Sequence, residues 1–110
     1  MNLKIDVTEA KDLTTLHLAG EIDIYTAPKL KEAMLPLMDQ QNHTVEVDLE
    51  DVDYMDSTGI GTFVSALKAS KLNNCHLRLI NLQDRVLRLF SITGLDEIMD
   101  INAAIRGGQE

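Results

Sequence analysis

Asp56, Ser57 and Thr58 set a carboxylate and two hydroxyls side by side, and Gly59-Ile60-Gly61 follows at once. A serine or threonine hydroxyl serves as a nucleophile when a base activates it, or as a phosphate acceptor when a kinase supplies the phosphoryl group. The flanking sequence decides what this cluster can do. Before it, Val45-Glu46-Val47-Asp48-Leu49 alternates apolar and polar residues, the pattern of a half-buried strand. After it, Ile60, Phe63, Val64 and Leu67 recur at helical spacing. The cluster therefore opens a helix, where unpaired N–H groups and the positive end of the dipole suit a cap, an anion or a phosphate. Asp56 or Ser57 serves as the N-cap, but one cap needs one short polar residue and three are present. Gly59 and Gly61 each lower helix stability by about 1 kcal/mol relative to Ala. Bare glycines at that position imply close approach of another backbone or side chain, and local rules broken together mark a site.

Most catalytic readings of the cluster fail on spacing. Met55 stands where a G-x-S-x-G elbow needs its first glycine. Val64 replaces the third glycine of a dinucleotide fingerprint, and there is no Gly-Lys-Ser/Thr of a phosphate-binding loop. Asp56-Ser57-Thr58-Gly59 has one residue too many for an aspartic-protease Asp-Thr-Gly, and those enzymes need a second aspartate in an all-β context. His17, His43, His76 and Cys75 lie at no metal-binding spacing. A phosphoacceptor in a protein–protein interface fits the cluster better than an enzyme centre; a small hydrolase using Asp56 or Ser57 is the competing class.

A chain of 110 residues is one domain with room for a core. Its net charge of −8 argues against nucleic acid and against anionic membrane surfaces, both of which reward Lys and Arg. No apolar run is long enough to span a membrane. The N-terminus enters a strand pattern without a signal peptide, and the single Cys75 has no internal disulfide partner; both favour a cytoplasmic protein. A monomer is expected when the chain is free of its partner. No cofactor or metal is expected.

The elements that must position the cluster read in order. Leu3, Ile5 and Val7 mark a first strand; a turn at Glu9 to Asp12 leads to a second, with Leu16 and Leu18 inward and His17 on the solvated phase. Gly20 to Tyr25 is a turn, Thr26 an N-cap and Pro28 a first-turn residue of a helix carrying Ala27, Leu30, Met34, Leu37 and Met38 on one face, kinked at Pro36. The strand Val45 to Leu49 and the central helix, to about Leu72, come next. Leu77, Leu79 and Ile80 form a strand. Asn81 caps a third helix with Asp84 at the capping-box position, Val86, Leu87 and Phe90 inward, and Gly94 as its stop. Arg85 and Arg88 are read as solvated surface. Ile98 to Ile101 is the last strand, and 102–110 a polar tail expected to fray. The order β-β-α-β-α-β-α-β gives an α/β domain spanning 1–110, a mixed sheet with helices mainly on one face.

Three segments carry a family resemblance: Gly20-Glu21-Ile22-Asp23-Ile24-Tyr25-Thr26-Ala27-Pro28, then Asp51-Val52-Asp53-Tyr54-Met55-Asp56-Ser57-Thr58-Gly59-Ile60-Gly61, then Leu89-Phe90-Ser91-Ile92-Thr93-Gly94-Leu95. In this order, over essentially the whole chain, they resemble the STAS domain of bacterial anti-sigma factor antagonists, nearest to the type acting in the sigma-B stress response. The resemblance implies partner switching. The unphosphorylated antagonist binds an anti-sigma factor that is also a serine kinase and so frees the sigma factor. Phosphorylation on Ser57, with Thr58 as a possible second acceptor, releases it, and a PP2C-type phosphatase restores it. It also implies a partner surface of Asp23, Tyr25, Thr26, Asp56, Ser57, Thr58, Gly59 and Gly61. Other uses of such a domain, as a regulatory subunit of a membrane transporter or part of a signalling assembly, are the alternative within the same fold.

Overall fold

The computed structural model describes residues 2–103. Five strands form one sheet in the order of the chain: β1 Leu3–Glu9, β2 Leu13–Ile22, β3 Thr44–Met55, β4 His76–Leu82 and β5 Asp100–Ala103. β1 runs antiparallel to β2 as a hairpin, and β2 to β5 are parallel. Parallel neighbours need crossovers, which are α1 Ala27–Met34, α2 Ser57–Leu72 and α3 Asp84–Ile92. This is the expected mixed sheet with helices on one face.

The core lies between the sheet and that helical layer. Leu16, Leu18 and Ile22 of β2, Val45, Val47, Leu49 and Val52 of β3, and Leu79 and Leu82 of β4 are fully buried. Leu30 and Met34 of α1, Phe63 and Ala66 of α2, and Val86 and Phe90 of α3 meet them from the other side. The rings of Phe63 and Phe90 meet edge to face, centroids 5.9 Å apart, and tie α2 to α3. The opposite sheet face is polar. There Glu46 pairs with Arg78, its cross-strand partner, at 2.7 Å, and His76 meets Asp100 at 2.7 Å.

Several boundaries differ from the sequence reading, each for a local reason. β2 continues through Gly20–Ile22, expected as a turn, because Glu21 N–H donates to Asn2 O and the hairpin keeps its pairing to the end. β3 continues six residues past Leu49. Its buried residues are 45, 47, 49, 52 and 55, so the period of two breaks twice. At both breaks β3 inserts a residue relative to β2: His17 faces Asp48 but Ala19 faces Asp51, and Gly20 faces Val52 but Glu21 faces Tyr54. These are β-bulges, which re-aim side chains and sit next to sites.

Pro36 does more than kink α1: the helix ends at Met34, and a 3-10 turn, Leu35–Met38, follows. Asn81 does not cap α3. It sits inside β4 at φ 59, where the register with β5 shifts, and its side chain donates to Asp48 Oδ1 at 3.3 Å. Asparagine tolerates that left-handed conformation better than other non-glycine residues. The helix starts three residues later, with the Gln83 carbonyl accepting from Val86 and Leu87. Gly94, at φ 78, ends α3 as expected. The turn that follows closes Ile98 and Met99 onto the Leu95 carbonyl, so β5 begins at Asp100 rather than Ile98. Asn102 and Ala103 belong to β5; the rest of the expected tail, 104–110, lies outside the described residues.

Candidate functional site

The Ser57 turn forms where β3 ends and α2 begins. Asp56 is the N-cap: its backbone is extended at φ −115, ψ −170, and its Oδ1 accepts from Thr58 N–H at 2.9 Å and Gly59 N–H at 3.3 Å. Asp56 N–H donates to Ile22 O at 3.2 Å, which ties the turn to the end of β2. With capping done by Asp56, Ser57 and Thr58 are left over. Both are exposed, and the Ser57 hydroxyl takes no side-chain hydrogen bond among the described residues. The Thr58 carbonyl accepts from the Thr62 hydroxyl at 3.1 Å, which secures the first turn of the helix.

The two glycines have different jobs, against the expectation that both bare a docking surface. Gly59 is buried, and a Cβ there would come within 2.6 Å of Met55 Cγ and 2.8 Å of Ile22 Cγ2. It lets α2 lie close on the ends of β2 and β3. Gly61 is exposed with nothing within 4 Å of such a Cβ, so only this glycine faces outward.

The loop between β2 and α1 is also built differently from its reading as a polar surface turn. Asp23 is buried, at 6% exposure. Its Oδ1 accepts from Tyr25 N–H at 2.9 Å and Thr26 N–H at 3.0 Å, while Ala27 N–H donates to its carbonyl at 2.8 Å. Thr26, expected as the N-cap, makes no cap bond; its hydroxyl donates to Glu21 O at 2.8 Å and accepts from Asp23 N–H at 2.9 Å. Asp23 does the capping because the helical turn begins one residue after it. Replacing Asp23 by Ala is therefore expected to cost about 1–2 kcal/mol of stability, the range for a lost cap with buried N–H groups behind it. Denaturant unfolding of the purified variant measures this, and an unchanged midpoint would return Asp23 to the surface role first expected of it.

The rigid loop holds its outer residues out. Ile24 is 62% exposed and Tyr25 80%, and Tyr54 at the end of β3 stands beside them. Two grooves flank the Ser57 turn. One, of about 510 Å³, runs between α1 and α2 past Ile24, Pro28, Lys31, Thr58, Gly61 and Ser65. The other, of about 420 Å³, lies between the β2–α1 loop, the end of β3 and α3; Tyr25, Tyr54, Asp53, Asp56 and Arg85 line it. Arg85, read as plain solvated surface, thus reaches the site, with Nη1 3.4 Å from Asp53 O. Ile24 and Tyr54 were missed. Two adjacent apolar residues, Ile24-Tyr25, in a turn otherwise read as polar were the available signal.

The structure thus brings the two turns singled out in the sequence, 20–26 and 56–61, to one end of the sheet, around an exposed Ser57 hydroxyl. Among the described residues, no helix is long and apolar enough to cross a membrane. The chain belongs to the STAS domain family, whose model matches residues 4–107, and its relatives there are anti-sigma factor antagonists. It is 45% identical over 108 residues to the anti-sigma-B factor antagonist of Bacillus subtilis, covering 98% of each chain. To the anti-sigma-B factor antagonist of Staphylococcus epidermidis it is 42% identical over 102 residues, 93% of this chain and 94% of that one. A crystal structure of an anti-sigma factor antagonist from Mycobacterium paratuberculosis shares the fold, with a TM-score of 0.83 over 94% of this chain and 88% of the other at 19% identity.

Proposed function

We propose that this chain is an anti-sigma factor antagonist that works by partner switching. Its unphosphorylated form binds an anti-sigma factor with serine kinase activity and frees the sigma factor; phosphate on Ser57 ends the binding, and a PP2C-type phosphatase resets it. The family, and its relatives' role as anti-sigma factor antagonists, support the class of partner. The observation that carries the site is the Ser57 hydroxyl: exposed, without a side-chain hydrogen bond among the described residues, and released from capping by Asp56.

The same geometry speaks against Ser57 as a nucleophile of the chain's own. A serine nucleophile needs a base within hydrogen-bond reach. Asp56 Oδ1 is taken by two backbone N–H groups, and the histidines bond elsewhere: His17 to Asp48 and Asp51, His43 to Thr14, His76 to Asp100. The domain is a substrate and a ligand, with no catalysis of its own.

Ser57→Ala is expected to retain partner binding and to lose phosphorylation, because only the hydroxyl is removed from an exposed position. The check is capture of partner proteins from the native cytoplasm, then ATP and mass-spectrometric mapping on the recovered complex. Phosphate accumulating on the variant at the wild-type rate would move the acceptor to Thr58. Recovery of transporter components in place of an anti-sigma factor would overturn the reading.

A further inference from the structure

The sheet face turned away from the helices carries a second organised cluster. His17 lies opposite Asp48 in the β2–β3 ladder, and both ring nitrogens are engaged: Nδ1 lies 3.2 Å from Asp48 Oδ2 and Nε2 2.8 Å from Asp51 Oδ2. Residues three apart in a regular strand point to opposite faces. The residue that β3 inserts after Asp48 brings Asp48 and Asp51 to the same face, so the imidazole spans the first bulge. A neutral imidazole donates from one nitrogen only, whereas the cation donates from both. Facing carboxylates at both nitrogens, the ring completes this clasp only when protonated.

The other charged groups around it come from three strands. From β1, Asp6 stands opposite His17, with Lys4 next along the same face. On β3, Glu46 is held by Arg78 of β4, and Glu50 lies beyond Asp48. Asn81 of β4 and Glu50 N–H both donate to Asp48 Oδ1, leaving Oδ2 for the ring. The Asp51 hydrogen bond above all, with partial burial opposing it and Asp48 adding to it, holds the His17 imidazole above its usual 6.5.

Past this bulge β3 runs through the second bulge to Met55 and Asp56. Asp56 N–H on Ile22 O is the last rung before Ser57. We propose that His17 is a positioning residue for the Ser57 turn: its protonated ring pins the first bulge and so sets the register in which β3 delivers Asp56 and Ser57 to the start of α2. The importance of that turn for partner binding rests on the function proposed above; the clasp itself does not.

A raised folded-state value means that the clasp's contribution is complete below about pH 6.5 and is lost as pH rises through the folded value. Opening of this end of the ladder should increase about tenfold for each unit separating the two values. The test is NMR on the intact chain without partner, from pH 5.5 to 9, following the His17 ring and the exchange protection of the Asp56 amide. The expected result is a His17 midpoint above 6.5 and an Asp56 protection factor that falls between about pH 6.5 and that midpoint and levels off above it. His17→Gln, which can hydrogen-bond but not titrate, should flatten the protection profile, and Asp51→Asn should lower the ring's midpoint. A midpoint at or below 6.5, Asp56 protection independent of pH in the wild type, or an unchanged profile in His17→Gln would each overturn the proposal. No partner enters the measurement, so it can succeed where the partner-switching reading fails, and the reverse.

Discussion

Ser57→Glu is expected to bind the anti-sigma partner about a hundredfold more weakly than the wild type and to melt at nearly the same temperature. The two halves of this expectation have different origins. Within the free domain, the new carboxylate sits at the first position of α2, where the helix dipole favours an anion by roughly 0.3–1 kcal/mol. Asp56 repels it across partly screened solvent by a similar amount. The terms nearly cancel, and the exposed side chain displaces nothing. In the complex the charge is covered. One partner carboxylate about 6 Å away at an effective dielectric of 20 gives about 3 kcal/mol, or roughly a hundredfold in affinity. Calorimetric titration against the purified partner reads the affinity, and thermal unfolding reads the fold. A drop of many degrees in melting temperature would mean that the switch works by reshaping the domain, as would backbone NMR changes reaching α3 or β5.

Why the Ser57 turn was legible in the sequence while its surroundings were not follows from how each is encoded. Asp56-Ser57-Thr58 announces itself by three short polar residues where a helix start needs one, and the strand and helix around it have the periods of 2 and 3.6 that burial imposes. The end of β3 has no single period. The first inserted residue shifts the phase, so Val52 faces the core although the alternation from Val45 to Leu49 does not predict it, and the second restores the phase at Met55. A bulge is a relation between two strands, and one strand's sequence does not contain it. Asp23 failed for a related reason. Asp, Tyr and Thr in a turn look like surface, and only the packed loop shows that the carboxylate is turned inward to hold Tyr25 and Thr26 N–H groups. The outward residues of that loop are the apolar ones, Ile24 and Tyr25, a pair that the proposed partner surface would cover. His17 was placed on the correct face, but its two carboxylate partners depend on the same bulge that hid the end of β3.

The glycines of the site provide the largest expected effect on the fold itself. Gly59→Ala should destabilise the domain by about 1–3 kcal/mol, the usual range for a methyl forced into a filled site. Gly61→Ala, two residues on, should stabilise it by up to about 1 kcal/mol. Both changes improve helix propensity equally, so the difference between them isolates packing. At Gly59 the added Cβ would meet Ile22 Cγ2 at 2.8 Å and Met55 Cγ at 2.6 Å. Met55 can bend, but Ile22 is β-branched and fully buried, and relief requires α2 to lift from the ends of β2 and β3. That movement would carry Asp56 and Ser57 with it, so Gly59→Ala should weaken partner binding even below its melting temperature. At Gly61 the added methyl meets nothing within 4 Å in the free domain. Any loss of partner affinity in that variant would come from the interface alone. Urea unfolding of the two variants side by side, with partner affinity measured on each, separates the effects. Equal stability of the two alanine variants would show that Gly59 is not a packing glycine and would reopen the reading of both as a bare docking surface.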